Sequence, residues 1–209
     1  MDNFWNERYI NEQFIWGTKP SEFTVLCEKY LQKNKVKDIL IMGIGYGRNG
    51  KYFTEKGYHV DGIEISEEAV KIGKTFDPKI NFIKGSILDL NIELDKRYDA
   101  VYCCDIMQLF PRIEQKIIIK NCIKNCKNNG IIIISCISNK DILYGRGKNI
   151  GENSFEIKEG HIMYFTNEEQ IRNIDEELEL IQIDYFIEEG RNRIYGIYKL
   201  KNKWSKNCT

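Results

Sequence analysis

The chain has 209 residues, enough for one α/β domain with a sizeable core and too few for a cofactor domain joined to a full substrate domain. Its 31 basic and 31 acidic residues cancel to a formal net charge of zero, which excludes a global field drawing the protein to nucleic acid or to an anionic membrane. Seven cysteines, at 27, 103, 104, 122, 126, 136 and 208, are odd in number, lie mostly in apolar segments and show no C-x-x-C spacing, so they read as reduced core thiols.

No basic segment followed by an apolar run opens the chain, and no apolar stretch reaches about 18 residues, which predicts a soluble, cytoplasmic protein with no membrane partner. Residues 2–33 read as a helical section, with Trp5, Tyr9 and Phe14 on one side and Phe23, Leu26, Tyr30 and Leu31 on another, broken between Gly17 and Pro20. An apolar strand over 39–42 then opens into Gly43-Ile44-Gly45-Tyr46-Gly47. A helix over 48–56 stops at Gly57, and a strand over 58–65 follows. Ser66 caps the next helix, whose first turn carries Glu67 and Glu68 at the positive end of the helix dipole.

Residues 80–84 and 98–104 read as the third and fourth strands, and a helix begins after Pro111; Cys122 and Cys126 fall one turn apart on it. The run 131–136 is apolar but for Ser135, as expected of a strand buried on both faces. Five strands separated by helices predict a parallel, doubly wound α/β sheet. The last strand-like runs, 180–188 and 193–200, are joined by Glu189-Gly190-Arg191-Asn192 and predict a closing hairpin. Between them and the fifth strand lies 139–164, polar and glycine-spotted with little periodicity. A connector of that length is a lid, a binding loop or disordered, and it is assigned as the substrate lid.

Residues 39–65 carry the chemistry. Glu64 ends the second strand beside the glycine turn, and both lie at the carboxyl ends of adjacent parallel strands, where open α/β sheets bind ligands. Glycines let the backbone turn sharply and approach a ligand closely, while a carboxylate accepts both hydroxyls of a ribose. That pairing predicts a nucleoside-containing cofactor. A dinucleotide fingerprint, G-x-G-x-x-G, requires glycine at position 48, where this chain has Arg48. A cation there crowds the pyrophosphate seat, and a cofactor without a pyrophosphate fits better.

With G-x-G-x-G at Gly43, Gly45 and Gly47, followed by Glu64, the chain resembles the class I S-adenosylmethionine-dependent methyltransferases. Ile41 stands where many members carry an acid; small-molecule members related to thiopurine, thiol and tellurite methyltransferases share that apolar choice. The resemblance implies one methyltransferase domain over 1–200, with 1–35 as a helical cofactor cover and 201–209 as a polar tail. It also implies a Rossmann-like, doubly wound, seven-stranded sheet, mostly parallel, with an antiparallel C-terminal hairpin.

S-adenosylmethionine is the implied cofactor and S-adenosylhomocysteine its product. Glu64 and Ile65 would hold the ribose, and Ser86 and Ile87 the adenine. Cys104 and Asp105 would pass beneath the methionine portion. Arg8 would pair with its carboxylate, and Tyr9 and Trp16 would wall the site. Asp105 is either a general base or a helix cap. Gln108, Tyr144, Arg146 and His161 are the candidate substrate contacts, with a solvent loop as the alternative for the glycine-spotted tip.

Methyl transfer from a sulfonium is an in-line displacement, so such an enzyme chiefly aligns the acceptor about 3 Å from the methyl carbon and excludes water. The Cys103-Cys104 pair is not preceded by Pro, and no Asp/Asn-Pro-Pro-Tyr/Phe motif appears, which argues against methylation of DNA bases. A small-molecule acceptor is the leading expectation. The alternatives are an RNA or protein methyltransferase docking through Lys140, Arg146 and Lys148, a nucleotide-cofactor oxidoreductase, and a non-catalytic cofactor-binding protein.

Overall fold

The computed structural model describes residues 2–202. Helices α1 (Asp2–Glu12) and α2 (Glu22–Lys33) precede an alternation of β1 (Asp38–Met42), α3 (Arg48–Glu55), β2 (His59–Glu64), α4 (Glu67–Phe76), β3 (Asn81–Lys84), β4 (Tyr98–Cys104), α5 (Arg112–Asn125) and β5 (Cys126–Ile137). Short strands β6 (Lys148–Gly151), β7 (Ser154–Lys158) and β8 (His161–Tyr164) follow. Then come α6 (Glu168–Arg172), β9 (Leu178–Glu188) and β10 (Arg191–Leu200).

Seven strands form one sheet in the order β3-β2-β1-β4-β5-β10-β9. The first five run parallel, and β10 lies antiparallel between β5 and β9. From β1 the chain winds outward through β2 and β3, then returns to place β4 on the other side of β1. The carboxyl ends of β1 and β4 therefore flank the crevice where such sheets seat ligands.

Successive strand residues point to opposite faces, and both faces are covered. Leu40, Met42, Ile63, Ile132 and Ile134 are buried with Ile118 and Cys122 of α5, while Ile39, Ile41, Ile131 and Ile133 are buried with Phe23 of α2 and Phe53 of α3. This two-sided burial is why 131–134 is uninterrupted isoleucine. Among the described residues, no helix is long and apolar enough to cross a membrane. The six described cysteines are free thiols.

Three departures from the sequence reading have physical causes. Cys126 opens β5 instead of continuing α5, so Cys122 and Cys126 do not share a helix. No helix joins β3 to β4; that connection is held by the Asn121 side chain, which donates to Ile87 O at 2.7 Å. Most consequentially, 139–164 is not featureless: β6, β7 and β8 form a separate antiparallel sheet. Phe155, Ile157 and Met163 alternate along its strands and pack with Leu143, Phe165 and Ile137, a period-two signal short enough to be masked by the surrounding glycines and charges.

Arg112, the first residue of α5, ties the return from this small sheet to the main body. Its guanidinium donates to Gln115 Oε1 at 2.6 Å, to Gln170 Oε1 at 2.8 Å and to the Phe165 carbonyl. Arg112→Ala leaves those acceptors without their donor and should lower the unfolding free energy by about 2–3 kcal/mol in a urea titration. Hydrogen exchange should accelerate in β6–β8 more than in β1–β4; uniform acceleration would show that Arg112 supports the whole core instead.

Candidate functional site

The chain leaves β1 through three glycines with left-handed backbones: φ is 66° at Gly43, 60° at Gly45 and 88° at Gly47. Only glycine adopts that region freely. The turn is also pressed from both sides. A Cβ on Gly43 would lie 2.6 Å from Ile106 Cδ1, and one on Gly45 would lie 2.9 Å from the Tyr9 hydroxyl.

Glu64 reaches this turn as predicted and is buried there. Its Oε2 accepts from Gly45 N at 2.8 Å, and its Oε1 accepts from Ser66 N at 2.8 Å. Burial pushes its pKa above the ordinary carboxylate value, opposed by these amides and by the charge of Lys84. Each oxygen retains a further lone pair, and the adjoining turn carries no side chains at Gly43, Gly45 or Gly47. That donor and acceptor set fits the ribose of a nucleoside cofactor.

The N-terminal segment covers the turn. Asn6 accepts from the Ser66 hydroxyl at 2.8 Å and from Glu68 N at 3.2 Å, docking α1 on the capped end of α4. Tyr9 is buried against Gly45, and its phenol is pushed far up by burial and by the nearby Glu64 charge. Trp16 stacks on Tyr46, with ring centroids 6.4 Å apart at 18°. The Tyr46 hydroxyl donates to Gly17 O at 2.7 Å and accepts from Trp16 N at 3.1 Å. Arg48 donates to Trp16 O at 2.9 Å and lies 3.7 Å from Glu189 at the tip of the β9–β10 hairpin.

Arg8 is placed differently from expectation. Its Nε donates to Glu12 Oε1 at 3.2 Å, and its guanidinium lies over the rings of Trp5 and Trp16 at 5.7 and 5.6 Å. Its charge is thus engaged within the cover. At the end of β3, the Ser86 hydroxyl accepts from Leu88 N at 3.2 Å in a local turn, and the Ile87 side chain is buried in the main core beside Leu40 and Ile63. Ile87 therefore presents no open face to a ring. Ile65 is half-buried just beyond β2.

Cys104 is half-buried at the end of β4, its thiol pushed up by burial. Asp105 follows with φ 57° and is no helix cap: the 3-10 turn Met107–Leu109 starts after Ile106 without a side-chain cap. Instead its Oδ1 accepts from Arg193 Nε at 2.7 Å. Arg193 carries no local sequence signal of this role, because it shares the start of its strand with Arg191 and Asn192. Gln108 Oε1, three residues on, is buried without a hydrogen-bond partner among the described residues.

The remaining substrate candidates sit on the small sheet and the loop leading into it. β8, which carries the exposed His161, packs against the 3-10 turn that holds Gln108. The Tyr144 hydroxyl donates to Asn153 Oδ1 at 2.7 Å, and its ring packs edge-on against Phe155 and Phe165. Arg146 and Lys148 are exposed, whereas Lys140 Nζ lies 3.6 Å from the centroid of the Tyr185 ring, which weakens the reading of these three cations as one docking patch.

Residues 39–130 match the family model of a methyltransferase domain. The ubiquinone biosynthesis O-methyltransferase of Rickettsia akari (strain Hartford) is 27% identical over 135 residues, covering 63% of this chain and 51% of that protein. The chain spans only about half to three-fifths of the length of the first curated relatives it matches. An S-adenosylmethionine-dependent methyltransferase from Clostridium acetobutylicum ATCC 824 superposes with a TM-score of 0.73 at 16% identity, over 96% of this chain and 100% of that one. The 1,6-didemethyltoxoflavin-N1-methyltransferase of Burkholderia thailandensis, solved with 1,6-didemethyltoxoflavin and S-adenosylhomocysteine, gives 0.73 at 11% identity over 96% and 87%. These structural matches show a shared fold.

Gly45→Ala should destabilise the protein by roughly 1–3 kcal/mol, because the new methyl group meets both an unfavourable φ and the Tyr9 hydroxyl. Adding Tyr9→Phe should recover only the contact part, measured as the coupling in a double-mutant cycle of urea midpoints. Strict additivity would show that Tyr9 does not press on this turn.

Proposed function

We propose that this chain is a class I S-adenosylmethionine-dependent methyltransferase that transfers a methyl group from S-adenosylmethionine to a small-molecule acceptor, a reading supported by the methyltransferase-domain match over residues 39–130 and by the sheet order. The observation that carries the reading is the buried Glu64 carboxylate at the mouth of the Gly43–Gly47 turn, beside the crevice between β1 and β4.

Glu64 would hold the ribose hydroxyls, with Gly43, Gly45 and Gly47 allowing close backbone approach. Tyr9, Trp16 and Tyr46 supply an aromatic wall that excludes water from this end of the crevice. When bound, S-adenosylmethionine supplies a sulfonium-activated methyl carbon open to in-line displacement. Asp105 and Gln108, after β4, and the small sheet with Tyr144, Arg146 and His161 would align the acceptor. The curated O-methyltransferase relatives and the neighbour solved with a small heterocycle support a small-molecule acceptor.

Calorimetric titration with S-adenosylhomocysteine should show selective binding, with nicotinamide dinucleotide as the control; the opposite preference would overturn the reading. Glu64→Ala should weaken the affinity by about 1.5–3 kcal/mol, the range for hydrogen bonds to a charged group. An unchanged affinity would remove Glu64 from the site.

The pH dependence follows from the upward shift of Glu64. Binding needs the ionised carboxylate, so affinity is full above its raised pKa and falls as pH drops through it, beginning above the ordinary value of 4.5. Glu64→Gln should bind more weakly and lose that dependence. A wild-type affinity that stays flat until below pH 4.5 would contradict the assignment.

A further inference from the structure

Asp105 occupies an unusual place. It follows directly on β4, it adopts φ 57° although it is not glycine, and its neighbour Ile106 packs against Gly43 of the cofactor turn. Residues held in the left-handed region tend to persist where the surroundings determine them. Here the backbone N of Asp105 donates to the Ser135 carbonyl and hydroxyl, both at 3.3 Å, while its side chain is met from farther along the chain: Arg193 on β10 reaches past β5, which separates β10 from β4 in the sheet.

The guanidinium is itself fixed. Arg193 Nη1 donates to Glu188 O at 2.6 Å, and its central carbon lies 5.9 Å from the centroid of the Phe186 ring. Glu188 in turn accepts from Glu22 N at the start of α2, so the hairpin that delivers Arg193 is anchored to the body. Arg193 is nearly buried, with a side-chain exposure of 13%, whereas Asp105 keeps 32%. One carboxylate oxygen is therefore clamped, and Oδ2 makes no hydrogen bond among the described residues. Three residues on, Gln108 Oε1 is a buried acceptor with no partner among the described residues.

Two unspent acceptors on one short turn, with Arg193 already paired to Asp105 and Arg112 engaged with Gln115, Gln170 and Phe165, suit a ligand that brings hydrogen-bond donors. They do not suit an anionic acceptor. We propose that Arg193 is a positioning residue that holds Asp105, and that Asp105 Oδ2 and Gln108 Oε1 read a hydroxyl or N–H on the acceptor, so that neutral, protonated acceptors are selected over thiolates, halides and metalloid anions. This assignment rests on the methyltransferase reading. As an acceptor hydroxyl oxygen takes the methyl group, its proton passes to Asp105 Oδ2, and the electron pair of the broken carbon–sulfur bond stays on sulfur. A sulfonium and a carboxylate thus become a neutral thioether and a neutral acid, and charge balances.

The test uses the wild-type chain saturated with S-adenosylhomocysteine, titrated with catechol and with its dimethyl ether, which has the same ring and no donors. Wild type should bind catechol at least tenfold more tightly than the ether. Asp105→Asn and Arg193→Gln should lose most of that preference while binding S-adenosylhomocysteine within about twofold of wild type, and Arg193→Lys should recover part of it. In catechol methylation, Asp105→Asn should lower kcat by about 10²–10⁴-fold, the usual range for a general base, with a smaller effect on KM.

Equal binding of the two ligands, binding of neither, or methylation of thiophenol but not catechol would overturn the proposal. Variants that weaken cofactor, catechol and ether alike would reduce the ion pair to a structural brace and overturn it too. Failure of the wild type to bind S-adenosylhomocysteine at all would instead sink the underlying methyltransferase reading, which separates the two outcomes.

Discussion

The two hydrogen bonds received by Glu64, from the amides of Gly45 and Ser66, join the turn after β1 to the cap of α4 across a desolvated carboxylate. The parallel register sets up this contact: Met42 lies opposite Ile63, so Glu64 emerges one residue past the point where β1 gives way to its glycines. A buried carboxylate without such donors would be strongly disfavoured, and the amides of a tight turn have few other partners to choose from. Each side therefore satisfies the other. The docking of α1 depends on the same junction, because Asn6 binds at Ser66 and Tyr9 closes over Gly45.

Much of this was legible in the chain because the relevant signals are local. β1 and β4 fall within one residue of their predicted spans, Ser66 caps α4, and the hairpin at 189–192 was recognised, although its loop is only Glu189 and Gly190. Both of these residues have positive φ, which suits the twist of a two-residue hairpin. What escaped notice depends on partners far apart in sequence. Nothing near Asp105 announces Arg193, nothing near Ser86 shows that Ile87 turns into the core, and Arg8 meets Trp5 and Trp16 instead of standing free. The small sheet was missed for a different reason: its strands are four or five residues long, too short for alternation to stand out.

Arg48 illustrates how one residue acquires a second meaning in three dimensions. In the sequence it interrupts a dinucleotide fingerprint; in the fold it links the carbonyl of Trp16 to the carboxylate of Glu189. Asn49 adds a bond to Ser21 N at 2.9 Å, and Glu188 receives Glu22 N. The segment covering the glycine turn and the hairpin that supplies Arg193 are thus fastened to the same first turn of α3, so the two halves of the crevice share one support. Exposed ion pairs contribute little by themselves, and the support comes chiefly from the buried and half-buried hydrogen bonds.

The position of β10 has a consequence for how the molecule is made. It is the last strand in chain order among those described, yet it lies inside the sheet, covering the long edge of β5. During synthesis that edge, with Ile131 to Ile134 and their row of unpaired amides, waits until some sixty further residues have emerged. An open, strongly apolar strand edge is a template for pairing with other chains. The time between translation of β5 and arrival of β10 is therefore the interval in which the nascent protein is most exposed to aggregation, and the distant pairing that closes it is of the kind that slows folding.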